Sequence, residues 1–278
     1  MRTTVRVGLS GGRQVALRAV GDEDDVFILD TAGTVLPGAR ATALVARCLA
    51  DGGSDARALT VGDREALLLH LRRLSLGESM DCVLRCPAVS CGESLECQLQ
   101  VSDLLLPLRV AADSAADTGT VSVDADEARY RVSFRAPTAA DVDHASALAP
   151  DHVERAALVI FERCVIAADR DGLPVAPADL PVAVRTAVDA AMAAADPQAE
   201  VQLTMRCPAC GAEFTSLFDA AAFFLRELDE RTTRTLRDVH VLAQHYHWSE
   251  ADILRMPARR RAQYIELVRD AKTRGRPQ

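Results

Sequence analysis

The sequence predicts an α+β protein made of an internally duplicated unit followed by a helical arm. Three observations carry this. Alternating apolar residues recur in hairpin-sized pairs, helical periodicities separate them, and two cysteine-tipped turns sit at matching places in the two halves. The first turn runs Arg85-Cys86-Pro87-Ala88-Val89-Ser90-Cys91-Gly92, the second Arg206-Cys207-Pro208-Ala209-Cys210-Gly211. Other landmarks keep step. Phe134 follows Leu17 by 117 residues, Cys164 follows Cys48 by 116, and Cys207 follows Cys86 by 121. The repeating unit is thus roughly 110 residues, the size of one small domain. Residues 1–110 form the expected first lobe, 111–225 the second, and 226–278 the arm.

The elements follow from local pattern. Residues 3–20 read as a hairpin, with Val5, Val7, Val15 and Leu17 alternating about a Ser10-Gly11-Gly12 turn. Residues 39–50 form a short apolar helix. Thr60-Val61-Gly62-Asp63 has capping-box spacing and opens a second helix, which Gly77 stops. Around residue 123 the alternation returns with Val121, Val123, Tyr130, Val132 and Phe134, after a small, acidic linker assigned to 111–126. Helices are expected at 152–167 and 181–195, with a loop over 169–181. Beyond the second turn Asp219 caps a long helix reaching about residue 245. Ser249 opens a short helix and Pro257 a final one. This ending has no counterpart in the first lobe.

Composition narrows the function. The chain has 278 residues, 49% hydrophobic and 26% charged, which suits a globular protein with an ample core. No apolar run approaches the length of a membrane span, and the first residues lack the apolar stretch of a signal peptide. A cytoplasmic, reducing setting is expected, in which the eight cysteines serve as metal ligands and core residues rather than disulfides. Net charge is −8, with a short basic end after Arg255 whose last residues, 272–278, are expected to fray. An acidic body with neither basic nor aromatic residues between its paired cysteines, where only Arg85 and Arg206 flank them, argues against a zinc-ribbon nucleic-acid binder.

Cys86, Cys91, Cys207 and Cys210 supply the four thiolates of a closed tetrahedral structural zinc (Zn2+) site, shared between the lobes. In each turn proline fixes the entry and glycine relieves the backbone behind the second ligand. The first turn is wider, with four residues between its cysteines instead of two. Cys48, Cys82, Cys97 and Cys164 read as core residues. A site with four cysteines leaves no open position for catalysis, and no Walker loop, His-Glu-x-x-His or Gly-x-Ser-x-Gly elbow is present. The chain therefore reads as non-enzymatic. His240, His245 and His247 cluster in sequence, but a spacing of five turns His240 and His245 to different helix faces. In the arm Tyr246 and Trp248 stand at a helical corner, and Arg259, Arg260 and Arg261 form a basic cluster. These five are the candidate partner-binding residues.

The run from Arg57 to Leu69 (RALTVGDREALLL), leading into Cys86-Pro87, resembles baseplate proteins of contractile phage tails, in particular the T-even-type baseplate hub family and its relatives in bacterial contractile injection systems. The run from Val239 to Leu254, followed by Arg259–Arg261, resembles a short helical motif of small tail-assembly proteins. The resemblance implies a non-enzymatic baseplate, hub or tail-assembly component whose partners are other baseplate, hub, tube or tape-measure proteins. An assembly chaperone absent from the mature particle is the alternative within the same family.

Overall fold

The computed structural model describes residues 4–50, 55–107 and 118–274, without the side chains of 272–274. Parts of the expected linker (111–117) and of the basic end (275–278) lie outside these residues. The architecture is α+β, with four small antiparallel sheets among the described residues.

The first half opens with a hairpin, β1 (Thr4–Gly8) and β2 (Gln14–Arg18), in which Val5 faces Leu17 and Val7 faces Val15. Three helices follow: α1 (Asp22–Thr31), α2 (Pro37–Cys48) and α3 (Val61–Leu76). Pro37 starts α2, where a missing N–H costs nothing. The Thr60 hydroxyl caps α3 by accepting from the Asp63 N–H, and Gly77 ends it at φ 99°, a conformation open to glycine. A second hairpin, β3 (Ser79–Arg85) and β4 (Ser94–Gln100), carries the first cysteine turn and runs into the single helical turn α4 (Val101–Leu104).

The second half repeats this order with additions. The strands β5 (Thr118–Ala125) and β6 (Ala128–Arg135) meet through a two-residue turn, Asp126-Glu127, with φ of 48° and 60°. Next come α5 (Ala139–Leu148), α6 (Val153–Cys164), β7 (Val165–Arg170), β8 (Leu173–Pro174), α7 (Val182–Ala195), and the second cysteine hairpin, β9 (Val201–Arg206) and β10 (Glu213–Phe218). Three sequence expectations are corrected here. The linker assigned to 111–126 ends in strand β5. The helix expected over 152–167 stops at Cys164, where Val165–Arg170 pairs with β6. The loop expected over 169–181 contains β8, so this sheet has the order β5-β6-β7-β8. Its inner face, Tyr130, Val132 and Phe134, packs with Phe161 of α6 and with Val184, Val188 and Met192 of α7.

The last three helices are α8 (Ala220–Tyr246), α9 (Glu250–Arg255) and α10 (Ala258–Arg274). The Asp219 carboxylate accepts from the Ala222 N–H and so caps α8. Contacts divide the chain into two units. One comprises Met1–Ala19 with Leu36–Phe224, the other Val20–Val35 with Leu225–Gln278. Within the second unit α1 joins the helical arm. Ile28 and Leu228 are fully buried, and Asp25 pairs with Arg231. Arg261 donates to the Asp22 carboxylate at 3.2 and 3.3 Å.

Within the first unit the two halves interlock around α3. Leu67, Leu68 and Leu71 have no exposed surface, each contributing about 1.5–3 kcal/mol by burial. At the start of the helix the Gly62 N–H donates to the Asp196 carboxylate at 2.7 Å, where the helix dipole favours negative charge. A Cβ on Gly62 would lie 1.9 Å from that carboxylate, so only glycine admits it. Farther along, the buried Glu65 accepts from Arg64 at 2.8 Å and from the Ala221 N–H at 3.2 Å, joining α3 to the start of α8.

Candidate metal centre

Both cysteine turns are hairpin tips, and pairing brings each pair of thiols to the end of its sheet. In the second hairpin Arg206 pairs with Glu213, leaving residues 207–212 as the turn. The Cys207 N–H donates to the Ala212 carbonyl at 2.9 Å, and Gly211, at φ 75°, donates to the Cys207 carbonyl at 2.8 Å. In the first hairpin Arg85 pairs with Ser94, so the turn spans 86–93. The Cys86 N–H donates to Glu93 at 2.9 Å, matching Cys207. The two additional residues are absorbed outwards. Val89 is wholly exposed, and the Cys91 N–H closes the loop on the Ala88 carbonyl at 2.9 Å. The wider spacing therefore leaves the ligand positions intact.

All four sulfurs lie within 4.8 Å of one another. Cys86 Sγ is 3.7 Å from Cys210 Sγ, and Cys91 Sγ is 3.8 Å from Cys207 Sγ. A disulfide needs about 2.0 Å, so these are free thiols. A tetrahedron with metal–sulfur bonds of about 2.3 Å has edges of about 3.8 Å, so the donor set fits a tetrahedral thiolate site. Cys86 and Cys207 are buried among Leu95, Ala88 and Phe214, whereas Cys91 is half-buried and Cys210 exposed.

The surroundings favour thiolate with a compensating cation. The N–H groups of Cys210 and Ala209 bond to the Cys207 sulfur and, against its burial, bring its pKa down to about 7. The Ala88 N–H acts in the same sense on Cys86. Burial and hydrogen bonds with the other three thiols outweigh it and push Cys86 up to about 12. Cys91 is raised as well, despite the Glu93 N–H, by burial and its neighbours. Cys207 ionises readily while Cys86 and Cys91 resist, because negative charge cannot accumulate within 4.8 Å without a positive ion.

A family model described as "T4 bacteriophage base plate protein" matches residues 38–225. The chain belongs to this family. No curated protein and no solved structure matches it. The base plate match contains the run 57–69 and both cysteine turns, and ends before the helical motif at 239–254. Membership in a base plate family implies contacts with other base plate components. Among the described residues no helix is long and apolar enough to cross a membrane.

The other sequence-selected residues lie in the second unit. Tyr246 and Trp248 stack at 4.6 Å, and Tyr264 stands edge-on to them at 5.6 and 4.9 Å, beside Val239, Leu242, Ile253 and Ile265. Arg259 and Arg260 are exposed, with Arg260 over the Tyr264 ring. Arg261 is buried, held by Asp22 and by the Met256 carbonyl at 2.8 Å. The three arginines therefore do not share one face. Sequence reasoning missed the acidic start of α1, whose Asp22 and Asp25 receive Arg261 and Arg231. The run Asp22-Glu23-Asp24-Asp25 was its visible signal. Of the remaining cysteines, Cys48 and Cys164 are fully buried, and Cys82 and Cys97 face each other across β3 and β4.

Proposed function

We propose that this chain is a non-enzymatic structural component of the base plate of a phage-tail-like contractile injection particle. One zinc ion, held by Cys86, Cys91, Cys207 and Cys210, staples its two cysteine hairpins. The observation that carries this reading is the coincidence of a base plate family match with a sulfur cluster of tetrahedral dimensions inside the matched residues. Zinc suits four thiolates, and a fully protein-ligated ion has no position left for substrate. Its role is then mechanical. Apparent structural zinc binding, on the order of 10 kcal/mol in small peptides, joins hairpins more than a hundred residues apart in sequence.

We also propose that the chain arose by duplication, and matching hydrogen bonds support this. Arg18 donates to the carbonyls of Ala19 and Arg47, and Arg135 to those of Ala136 and Arg163. The Gly21 N–H donates to Asp24 and the Thr138 N–H to Asp141, each across three residues.

The test is purification of intact particles and of assembly intermediates from producing cells, with mass spectrometry and elemental analysis. The chain should be present with hub, tube or tape-measure subunits, at about one zinc per chain. Absence from both fractions, with normal particles from a deletion strain, overturns the reading. Presence in intermediates alone assigns it to assembly, as a chaperone.

A further inference from the structure

We infer that the open groove between α6 and α7 is a docking site for an amphipathic helix of another particle subunit, one with Lys or Arg beside its apolar stripe. The inference rests on the base plate role proposed above and names the chemistry of one contact within it.

Helix α7 carries only two charged residues, Arg185 and Asp189, in fourteen, and several alanines on its outer side. A helix apolar around most of its circumference belongs in an interior. Yet only Val184, Val188 and Met192 of α7 are buried, and Val182 is 68% exposed. Beside it on α6, Leu158 is 45% exposed and Val153 85%. Between the two helices lies a groove of about 640 Å³. Its floor is apolar, made by Leu158, Phe161, Val182 and Met192. Asp196 also reaches it, but that carboxylate is engaged by the Gly62 N–H. With no free buried polar group to orient a small ligand, the floor suits a row of apolar side chains on a helix, spaced three and four apart.

The rim identifies the flanks of that helix. Glu154, Asp189 and Glu200 line the groove, against a single base, Arg185. Neither Glu154 nor Glu200 makes an ion pair among the described residues, and both are exposed. Basic residues on the incoming helix would meet these carboxylates and be steered by them.

A photo-crosslinking side chain at Val182, introduced in particle-producing cells, tests this, with Leu173 on β8 as the control position. The expected adduct joins Val182 to one particle subunit, on a peptide with apolar residues at steps of three and four flanked by Lys or Arg. The double variant Val182→Asp with Leu158→Asp should lower particle yield at least tenfold while leaving circular dichroism and zinc content unchanged. Glu154→Lys with Glu200→Lys should lower yield similarly, and changing the basic residues of the crosslinked peptide to Glu should restore it. The inference is overturned, with the base plate role intact, if the chain stays in particles but Val182 gives no adduct. An adduct to an acidic segment or to a second copy of this chain overturns it equally, as does full yield from the charge reversal. Normal particles without the chain overturn both readings.

Discussion

Helices α3 and α7 hold the same place in the order of the two halves, yet their surroundings differ. Ten of the sixteen residues of α3 are buried, Arg64, Glu65 and Arg72 among them, against three of fourteen in α7. The difference comes from what each half supplies to the other. The second half lends α3 the Asp196 carboxylate at Gly62, a bridge from Thr138 to Thr60, and the Ala221 N–H at Glu65. Among the described residues nothing comparable covers α7. A repeated order of elements therefore does not repeat an environment. The cysteine hairpins are the opposite case, since each gives two thiols to one cluster despite turns of different length.

The largest effect is expected where the hairpins meet. Cys207→Ser should lower the melting temperature by about 10 °C, given about 2–4 °C per kcal/mol for chains of this size, and should reduce bound zinc. Cys48→Ser, in the core and away from the cluster, should leave zinc unchanged. A Cys207→Ser protein with full zinc content would break the comparison, because the hairpins would no longer need each other.

Next in size is Asp141. It is buried, which opposes ionisation, but bonds from Arg135, Thr138 and Arg163 outweigh burial and hold the carboxyl well below its usual range. A depressed carboxyl stabilises the fold above the ordinary pKa of about 3.9 and loses that contribution as pH falls below it. Asp141→Asn should cost about 2 kcal/mol at pH 7, since both arginines remain partly hydrated. In urea titrations the cost should shrink progressively as pH falls below about 4, with part of it still present at about pH 2. Glu65 has the opposite sign. Burial raises its pKa against the pull of Arg64, so acidification through the raised value relieves a penalty. A cost for Asp141→Asn that does not change with pH would show that the carboxylate acts through shape alone.

Gly62→Ala sharpens the contrast between the helices. The added Cβ meets the Asp196 carboxylate at 1.9 Å, and the strain should cost about 1–3 kcal/mol. On the open side of α7, Ala190→Leu should change stability by no more than about 0.5 kcal/mol. Equal costs for the two, read from denaturant midpoints, would mean that α7 is as enclosed as α3.

Much of this was legible in local sequence, for identifiable reasons. Thr60, Gly77, Asp219 and Ser249 mark helix ends because a cap or a positive φ has a narrow choice of residues. The repeated Arg-Cys-Pro and Cys-Gly picked out the four cysteines that the structure brings together. Residues 165–167 read as helix because a short apolar run has no period of its own and here continues a genuine helix. The Asp171-Gly172 turn, with φ of 52° and 82°, was the hairpin signal to weigh against it. Arg261 was grouped with its two neighbours because adjacency in sequence does not say which side of a helix meets another segment.

The sequence by itself determined the α+β class, most helix boundaries and the convergence of two cysteine pairs, since each depends on backbone preferences or ligand chemistry within a few residues. Tertiary structure alone decided that Asp22 and Asp25 of α1 pair with the arm, that Asp196 completes the start of α3, and that among the described residues the face of α7 stays open. Those outcomes depend on partners as far as 239 residues apart. A charge or an apolar face on a helix states what it needs, and only the packed fold states which segment meets the need.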